Sequence, residues 1–214
     1  MYEVHHLERS RSHRVLWLLE ELELPYTVVR YSRDPVTMRA PAVLADVHPL
    51  AKSPVLCTDG LVLAESGAIL TYLLEKHGSR GLARSAGDPT HARYLYWFHF
   101  AEGSATLPMS LLFHLGSADP LPVAKLEQAK DQLGRVLSYI DSSLRRDGYF
   151  ADAAFSAADI QMSYPLESAS LRGLLPQELG AIPDFLTRIA DRPAYRRAVA
   201  AGLGDREPQT GKRS

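Results

Sequence analysis

Cysteine is almost absent from this sequence. The chain of 214 residues contains a single one, Cys57, which excludes an internal disulfide framework and any metal site built from several cysteines. An excess of one charge is also absent, because 24 lysine and arginine residues stand against 25 aspartate and glutamate residues. This balance gives no general reason to expect nucleic acid or an anionic membrane as a partner.

Long hydrophobic runs are missing as well. The longest uninterrupted apolar stretch is far shorter than the roughly 18 residues that a membrane-spanning helix requires. Residues 1–7 do not place a long apolar core behind a basic flank, so we expect no signal peptide. Apolar residues make up 46% and charged residues 23% of the chain, which is ordinary for a globular protein with a sizeable core. We therefore expect a soluble protein located in the cytoplasm.

The first third of the sequence alternates between strand and helix patterns. Residues 2–7 and 26–31 are predicted strands, and between them apolar residues recur at i, i+3, i+4 and i+7 from Val15. A strand, a helix and a second strand in this order predict a right-handed crossover between parallel strands. Asp59 and Gly60 lie between two apolar runs and predict a hairpin.

The alternation of strand and helix patterns stops after a predicted helix that ends at Gly78. Residues 79–87 are small and polar and are predicted to be a linker. Long helical patterns follow, with a kink expected at Pro108. The sequence therefore predicts an α/β domain of residues 1–78 and an all-helical domain of residues 88–214.

Two short segments of the first domain carry candidate binding residues. Pro54 opens an apolar strand, where a cis bond after Ser53 would free backbone groups for a ligand; from these residues alone, an ordinary trans proline at a strand edge is favoured. Glu65 and Ser66 directly precede a helix, whose N-terminus can hold a ligand carboxylate while Glu65 meets an ammonium group. The alternative is that Ser66 is only an N-cap and Glu65 a solvated acid.

Taken together, these segments resemble the cytosolic glutathione transferase family over nearly the whole chain. The resemblance rests on residues 10–22 (SRSHRVLWLLEEL), 48–56 (HPLAKSPVL), 63–69 (LAESGAI) and 155–160 (FSAADI). Within the family, the sequence most resembles the Gtt-like branch of bacterial and fungal transferases, which have a serine-type active site. The resemblance implies an N-terminal thioredoxin-like domain followed by a C-terminal helical domain.

The resemblance also assigns expected roles around glutathione. It implies a cis bond before Pro54 and pairing of the Ser53 backbone with the cysteinyl part of glutathione. Glu65 and Ser66 match the residues that hold the γ-glutamyl head, and Lys52 matches a basic residue that often reaches the glycyl carboxylate. Lys52 as a solvated loop lysine is the alternative. Where a glycine is common in this loop, the chain has alanine at position 51.

The residue that activates the thiol is expected in the loop after the first strand. Tyrosine is absent from residues 3–25, so a tyrosine-type site there is excluded. Ser10 matches the serine of serine-type transferases and is expected to donate a hydrogen bond to the thiolate, because a hydroxyl is too weakly basic to remove the thiol proton. Arg11 or a backbone N–H group are the alternatives. Ser12 is expected to be the N-cap of the first helix.

The implied reaction is attack of the glutathione thiolate on a small hydrophobic electrophile, in detoxification. Glutathione is then a co-substrate, no metal is needed, and a homodimer is expected. Two alternatives stay open: a glutathione-dependent peroxidase or disulfide reductase, and a non-catalytic glutathione-binding or ligand-binding protein. The eight histidines lack metal-ligand spacing, and Cys57 is expected to be an inert strand residue. Ser156 and Asp159 predict a capping box that serves folding.

Overall fold

The computed structural model describes residues 1–116 and 123–204. The chain divides into two compact units. The first contains Met1–Gly78 together with the segment that begins at Asp191, and the second is Ser79–Ala190. No described helix combines the length and the apolar character that crossing a membrane requires.

The first unit contains a four-stranded mixed sheet and two helices from the N-terminal part of the chain. Its elements are β1 (Tyr2–Leu7), α1 (Ser12–Glu21), β2 (Tyr26–Tyr31), a 3₁₀-helix (Ala42–Asp46), β3 (Val55–Thr58), β4 (Leu61–Ala64) and α2 (Ser66–His77). The strand order is β2-β1-β3-β4, with β1 and β2 parallel and the other two pairs antiparallel. The predicted parallel crossover and the hairpin are thereby confirmed, as is the thioredoxin-like fold class.

Local signals explain these elements. The α1 stripe that begins at Val15 is fully buried through Leu19 and provides much of the core. In the hairpin turn, Asp59 and Gly60 have φ angles of 42° and 80°. This left-handed pair is what a tight Asp-Gly turn between twisted strands requires. Gly78 ends α2 with φ of 76° and ψ of 145°, a conformation that glycine adopts without the steric cost a side chain would impose.

The second unit is helical. Its helices are α3 (His91–Phe100), α4 (Thr106–Gly116), α5 (Val123–Asp147), α6 (Ala157–Leu171) and α7 (Ala181–Ala190). The kink expected at Pro108 is displaced: a π-helical turn at Ala101–Ala105 separates α3 from α4, and Pro108 lies in the first turn of α4. Phe100 and Thr106, which flank this turn, keep right-handed helical backbone angles, so the helical run continues through it and the interruption falls just before Pro108.

The last helix, α8 (Pro193–Leu203), packs on α1 and belongs to the first unit. Arg192 donates two hydrogen bonds to Glu21, at 2.7 and 2.9 Å. The Tyr195 ring lies 5.0 Å from the Trp17 ring, centroid to centroid, in an edge-on arrangement. The structure thus differs from the predicted helical domain of 88–214, because α8 returns to cover the first helix.

The predicted linker, residues 79–87, is packed within the second unit. The Leu82 carbonyl accepts a hydrogen bond from the Ala157 N–H at 2.7 Å. Arg84 is buried and pairs with Asp152 at 2.7 Å. These long-range contacts are invisible in a small, polar stretch of sequence, which is why a linker was the natural prediction.

Candidate active site

Ser10 lies in the loop between β1 and α1 and is buried. Its Oγ is 2.7 Å from Oγ of Ser12 and accepts a hydrogen bond from the Ser12 backbone N–H at 3.2 Å. Oγ of Ser12 lies in turn 2.8 Å from Nδ1 of His6 on β1. The prediction that Ser12 is the N-cap is wrong, since the N-cap residue of α1 is Arg11 and Ser12 is the first helical residue. Ser12 instead connects Ser10 to His6.

The loop before β3 brings Ser53 to the same place. The Ser53–Pro54 peptide bond is cis, as the resemblance implied. Oγ of Ser53 donates to the His5 carbonyl at 2.7 Å and accepts from the Leu7 N–H at 3.1 Å. Ser10 Oγ donates a long hydrogen bond of 3.5 Å to Ser53 Oγ. Two predicted site residues from distant parts of the sequence therefore meet at the carboxyl end of β1.

Glu65 and Ser66 form the N-terminus of α2. Glu65 is the N-cap residue, is exposed, and has φ of 70° and ψ of 115°. A positive φ is uncommon for a residue other than glycine, and such strained conformations concentrate at binding sites. Ser66 is buried, and its Oγ accepts a hydrogen bond from Nη1 of Arg14 at 3.2 Å.

Arg14 and His6 contact the candidate site residues and were not predicted from the sequence. Arg14 is fully buried on α1, and a buried cation requires polar partners such as Ser66. Its signal in the sequence is weak, because a basic residue at the start of an apolar stripe is ordinarily expected to be exposed to solvent. His6 gives no signal beyond its position in a strand.

His6, which is buried, and His13, which is half-buried, do not add positive charge near this site. Burial, assisted by nearby His13 and Arg30, lowers the pKa of His6 to about 4. Burial and Arg14 likewise lower the pKa of His13 to about 4. Both rings are therefore neutral at pH 7. The guanidinium of Arg14 and the N-terminus of α2 together favour an anion beside Ser66.

Comparison with known proteins identifies the family. The profile of the family "Glutathione S-transferase, N-terminal domain" matches residues 1–75. Glutathione S-transferase 3 of Schizosaccharomyces pombe is 34% identical over 93% of this chain and 87% of its own length. The chain belongs to the glutathione S-transferase family. Its activity class is therefore the conjugation of glutathione, with glutathione as co-substrate.

Two further comparisons widen this relationship among bacterial proteins. The disulfide-bond oxidoreductase YfcG of Escherichia coli is 28% identical over 96% of this chain and 98% of its own length. The crystal structure of a glutathione S-transferase from Actinobacillus pleuropneumoniae has a TM-score of 0.84 and 28% identity, covering 95% of this chain and 94% of that one. The predicted resemblance to the bacterial and fungal transferases is confirmed.

The remaining predicted residues of this glutathione S-transferase are less enclosed. Lys52 is exposed, and Arg11 is half-buried at the N-cap of α1. Each is the direct neighbour of a serine of the network, Lys52 of Ser53 and Arg11 of Ser10. They therefore lie at the margin of the network, where both side chains are accessible to solvent.

Ala51, where this transferase departs from the common glycine, has φ of 48°. A left-handed conformation costs an alanine about 1 kcal/mol more than a glycine. Ala51→Gly is therefore expected to raise the free energy of unfolding by about 0.5–1 kcal/mol, part of the gain being offset by the greater freedom of glycine in the unfolded chain. Urea unfolding measures this change. Ala68→Gly on the exposed side of α2 is the control and is expected to lower stability by about 1 kcal/mol; an equal loss at both positions would contradict the prediction.

Proposed function

We propose that the first unit binds glutathione with its sulfur at Ser10, whose hydroxyl donates a hydrogen bond to the thiolate. The supporting observation is the hydroxyl network that joins the buried Ser10 and Ser12, at the N-terminus of α1, to the half-buried Ser53. A hydrogen-bond donor in the positive field of a helix N-terminus stabilises a thiolate against its protonated form. The thiolate is the nucleophile that attacks the electrophile.

The direction of the network determines whether Ser10 has a proton to give. Ser10 Oγ already accepts from the Ser12 backbone N–H. If neutral His6 carries its proton on Nδ1, it donates to Ser12, and Ser12 then donates to Ser10. Ser10 keeps its own proton for a bound sulfur, because its other donated bond, to Ser53, is long at 3.5 Å. Neutral His6 thus orients the serines and takes no proton itself.

The γ-glutamyl head is proposed to bind at the N-terminus of α2. Its carboxylate would accept hydrogen bonds from the Ser66 hydroxyl and from the first N–H groups of the helix. The Arg14 guanidinium, which donates to Ser66 Oγ, would fix the position of that hydroxyl. Its ammonium group would pair with Glu65, which is exposed and next to Ser66. Lys52 is proposed to reach the glycyl carboxylate, and the backbone of Ser53 beside Pro54 to pair with the cysteinyl part.

Ser66→Ala is expected to weaken glutathione binding about tenfold or more. A hydrogen bond to a charged group contributes roughly 1.5–3 kcal/mol, and the variant also leaves the Arg14 donor without its oxygen. Calorimetric titration with glutathione measures the affinity. Ser85→Ala, an exposed serine outside this site, is the control. Unchanged affinity in Ser66→Ala would place the head group elsewhere.

The electrophile is proposed to be small and hydrophobic. Helix α4 supports this assignment, because Leu111 and Phe113 are large apolar side chains that it leaves exposed. We further propose that two copies of the chain form a homodimer and that the enzyme works in the cytoplasm. A pocket on the second unit, lined by Tyr96 and Tyr139 among others, supports a face that a second copy covers.

A second candidate activity is glutathione-dependent reduction of disulfides or hydroperoxides. The bacterial relative whose name is disulfide-bond oxidoreductase favours it. In this chain bound glutathione must supply the reacting thiol, since burial and Glu3 raise the pKa of Cys57 and leave its thiol a poor nucleophile. Turnover of an aryl halide, an organic hydroperoxide and a mixed glutathione disulfide, measured side by side, separates the two activities.

A further inference from the structure

Three potential metal ligands of different kinds converge on one face of the sheet. A carboxylate oxygen of Glu3, a ring nitrogen of His5 and the sulfur of Cys57 all lie within 4.8 Å of one another. Glu3 Oε1 is 3.2 Å from His5 Nε2. Neighbouring ligands of one tetrahedral ion, whose bonds are about 2.0–2.3 Å long, lie about 3.3–3.8 Å apart. The Glu3–His5 separation is close to this range, and the 4.8 Å bound leaves the sulfur at most about 1 Å outside it.

The strands, and not a flexible loop, hold this arrangement. Glu3 and His5 are two residues apart on β1, so their side chains share a face. Cys57 is the direct partner of Glu3 in the antiparallel β1–β3 ladder. His6 projects to the other face, where it meets Ser12. The cluster is therefore separate from the proposed glutathione site, although both use β1.

The ring of His5 is fixed from its other side. Its Nδ1 lies 2.8 Å from the Tyr31 hydroxyl on β2. A histidine that binds a metal through one nitrogen almost always makes a hydrogen bond through the other, which sets the tautomer and the orientation of the ring. With Nδ1–H donating to Tyr31, the lone pair of Nε2 faces Glu3 and Cys57.

We propose that Glu3, His5 and Cys57 form a binding site for a divalent transition-metal ion of the zinc type. One thiolate, one imidazole and one carboxylate are ligands that Zn²⁺ and Co²⁺ accept, and three protein ligands leave a fourth position for water. On binding, the Cys57 thiol gives its proton to solvent and its sulfur electron pair to the ion, with no change of oxidation state. A surface pocket lined by Glu3 and Cys57 gives the ion access from solvent.

A simpler account treats Glu3 and His5 as an ion pair formed when the ring is protonated. That account explains the 3.2 Å contact between them. It assigns no role to the sulfur of Cys57, which the strand register holds beside both. The two accounts differ in whether the Cys57 thiol binds a metal ion. A metal ion whose absorption spectrum changes when sulfur binds it can distinguish them.

Cobalt is the probe. Full-length protein is freed of metal with a chelator and titrated with Co²⁺ in the absence of glutathione. We expect a single Co²⁺ per chain, with a thiolate-to-cobalt charge-transfer band in the near ultraviolet. Cys57→Ser is expected to lose this band, and Tyr31→Phe to bind Co²⁺ about 10- to 100-fold more weakly while keeping it.

Glu3→Gln provides a second test at an exposed position whose replacement leaves the fold intact, as circular dichroism would verify. It is expected to weaken Co²⁺ binding, whereas Glu75→Gln, an exposed acid on α2, is expected to leave it unchanged. Absence of the charge-transfer band in the unaltered protein, or its persistence in Cys57→Ser, would overturn the proposal. Because the readout involves neither glutathione nor turnover, it is independent of the function proposed above.

Discussion

Ser10→Ala is expected to raise the pKa of the thiol of bound glutathione by about one unit or more. One unit corresponds to about 1.4 kcal/mol, which is what a single hydrogen bond to a charged sulfur contributes. The structure supports this size, because Ser10 is buried and its oxygen accepts a hydrogen bond from the Ser12 N–H. The hydrogen bond that its hydroxyl donates to Ser53 is long, at 3.5 Å, so the proton can be redirected to the ligand. At neutral pH the thiolate fraction, and with it the rate of conjugation, should fall about fivefold if the pKa rises from about 7 to about 8, and by at most about tenfold per unit.

Ultraviolet titration of the enzyme–glutathione complex follows the thiolate absorbance directly. Arg11→Ala is the informative comparison, since Arg11 was the alternative donor and lies next to Ser10 at the N-cap of α1. We expect Arg11→Ala to retain the thiolate at neutral pH. If instead Arg11→Ala loses the absorbance and Ser10→Ala keeps it, the guanidinium is the activator and the assignment to Ser10 fails. Loss of binding in calorimetry would separate either result from a damaged site.

Asp159→Ala is expected to lower the free energy of unfolding by about 3 kcal/mol at neutral pH. The Asp159 side chain is fully buried at the start of α6 and forms the predicted capping box with Ser156. Its carboxylate accepts hydrogen bonds from the Phe150 N–H at 2.9 Å and from the N–H and hydroxyl of Ser156, both at 2.8 Å. Alanine leaves these buried donors without an acceptor. Chemical unfolding followed by circular dichroism measures the loss.

The pH dependence of the same variant provides a further check. Burial raises the pKa of Asp159 to about 6, against the hydrogen bonds that favour its ionised form. Between its unfolded value of about 4 and about 6, the folded chain therefore holds a proton that the unfolded chain has released. The stability that this proton contributes is fully present below about pH 4 and is lost as the pH rises through about 6. The difference between the unaltered protein and Asp159→Ala should shrink over that range.

Asp184→Ala is the matched control for this prediction, since Asp184 is an exposed acid in the first turn of α7. Its replacement should change the free energy of unfolding by less than about 0.5 kcal/mol. A comparable loss in both variants would indicate that charge at helix N-termini, and not the buried hydrogen bonds of Asp159, stabilises the second unit.

Part of the candidate site could be predicted from the sequence, mainly through the resemblance to glutathione transferases. Ser10, Ser53 and Ser66 were identified as candidates, and the structure places the first two within 3.5 Å of each other. The role of Ser12 was mistaken, because a serine before an apolar stripe has the signature of an N-cap whatever its oxygen contacts. Arg14 was not identified, because its buried hydrogen bond joins α1 to α2, and nothing near it in sequence indicates that partner.

The sequence by itself determined what short-range physics encodes: the α1 stripe, the Asp-Gly hairpin and the capping box of α6. Each depends on residues within a few positions of one another, where backbone geometry and periodicity restrict the outcome. The tertiary structure decided the rest: the return of α8 onto α1, the packing of residues 79–87 against the helical unit, and the meeting of His5 with Cys57. These depend on strand register and on helix contacts between residues far apart in the chain. Whether side chains fit together at such contacts depends on their shape and charge, and no local sequence pattern contains that information.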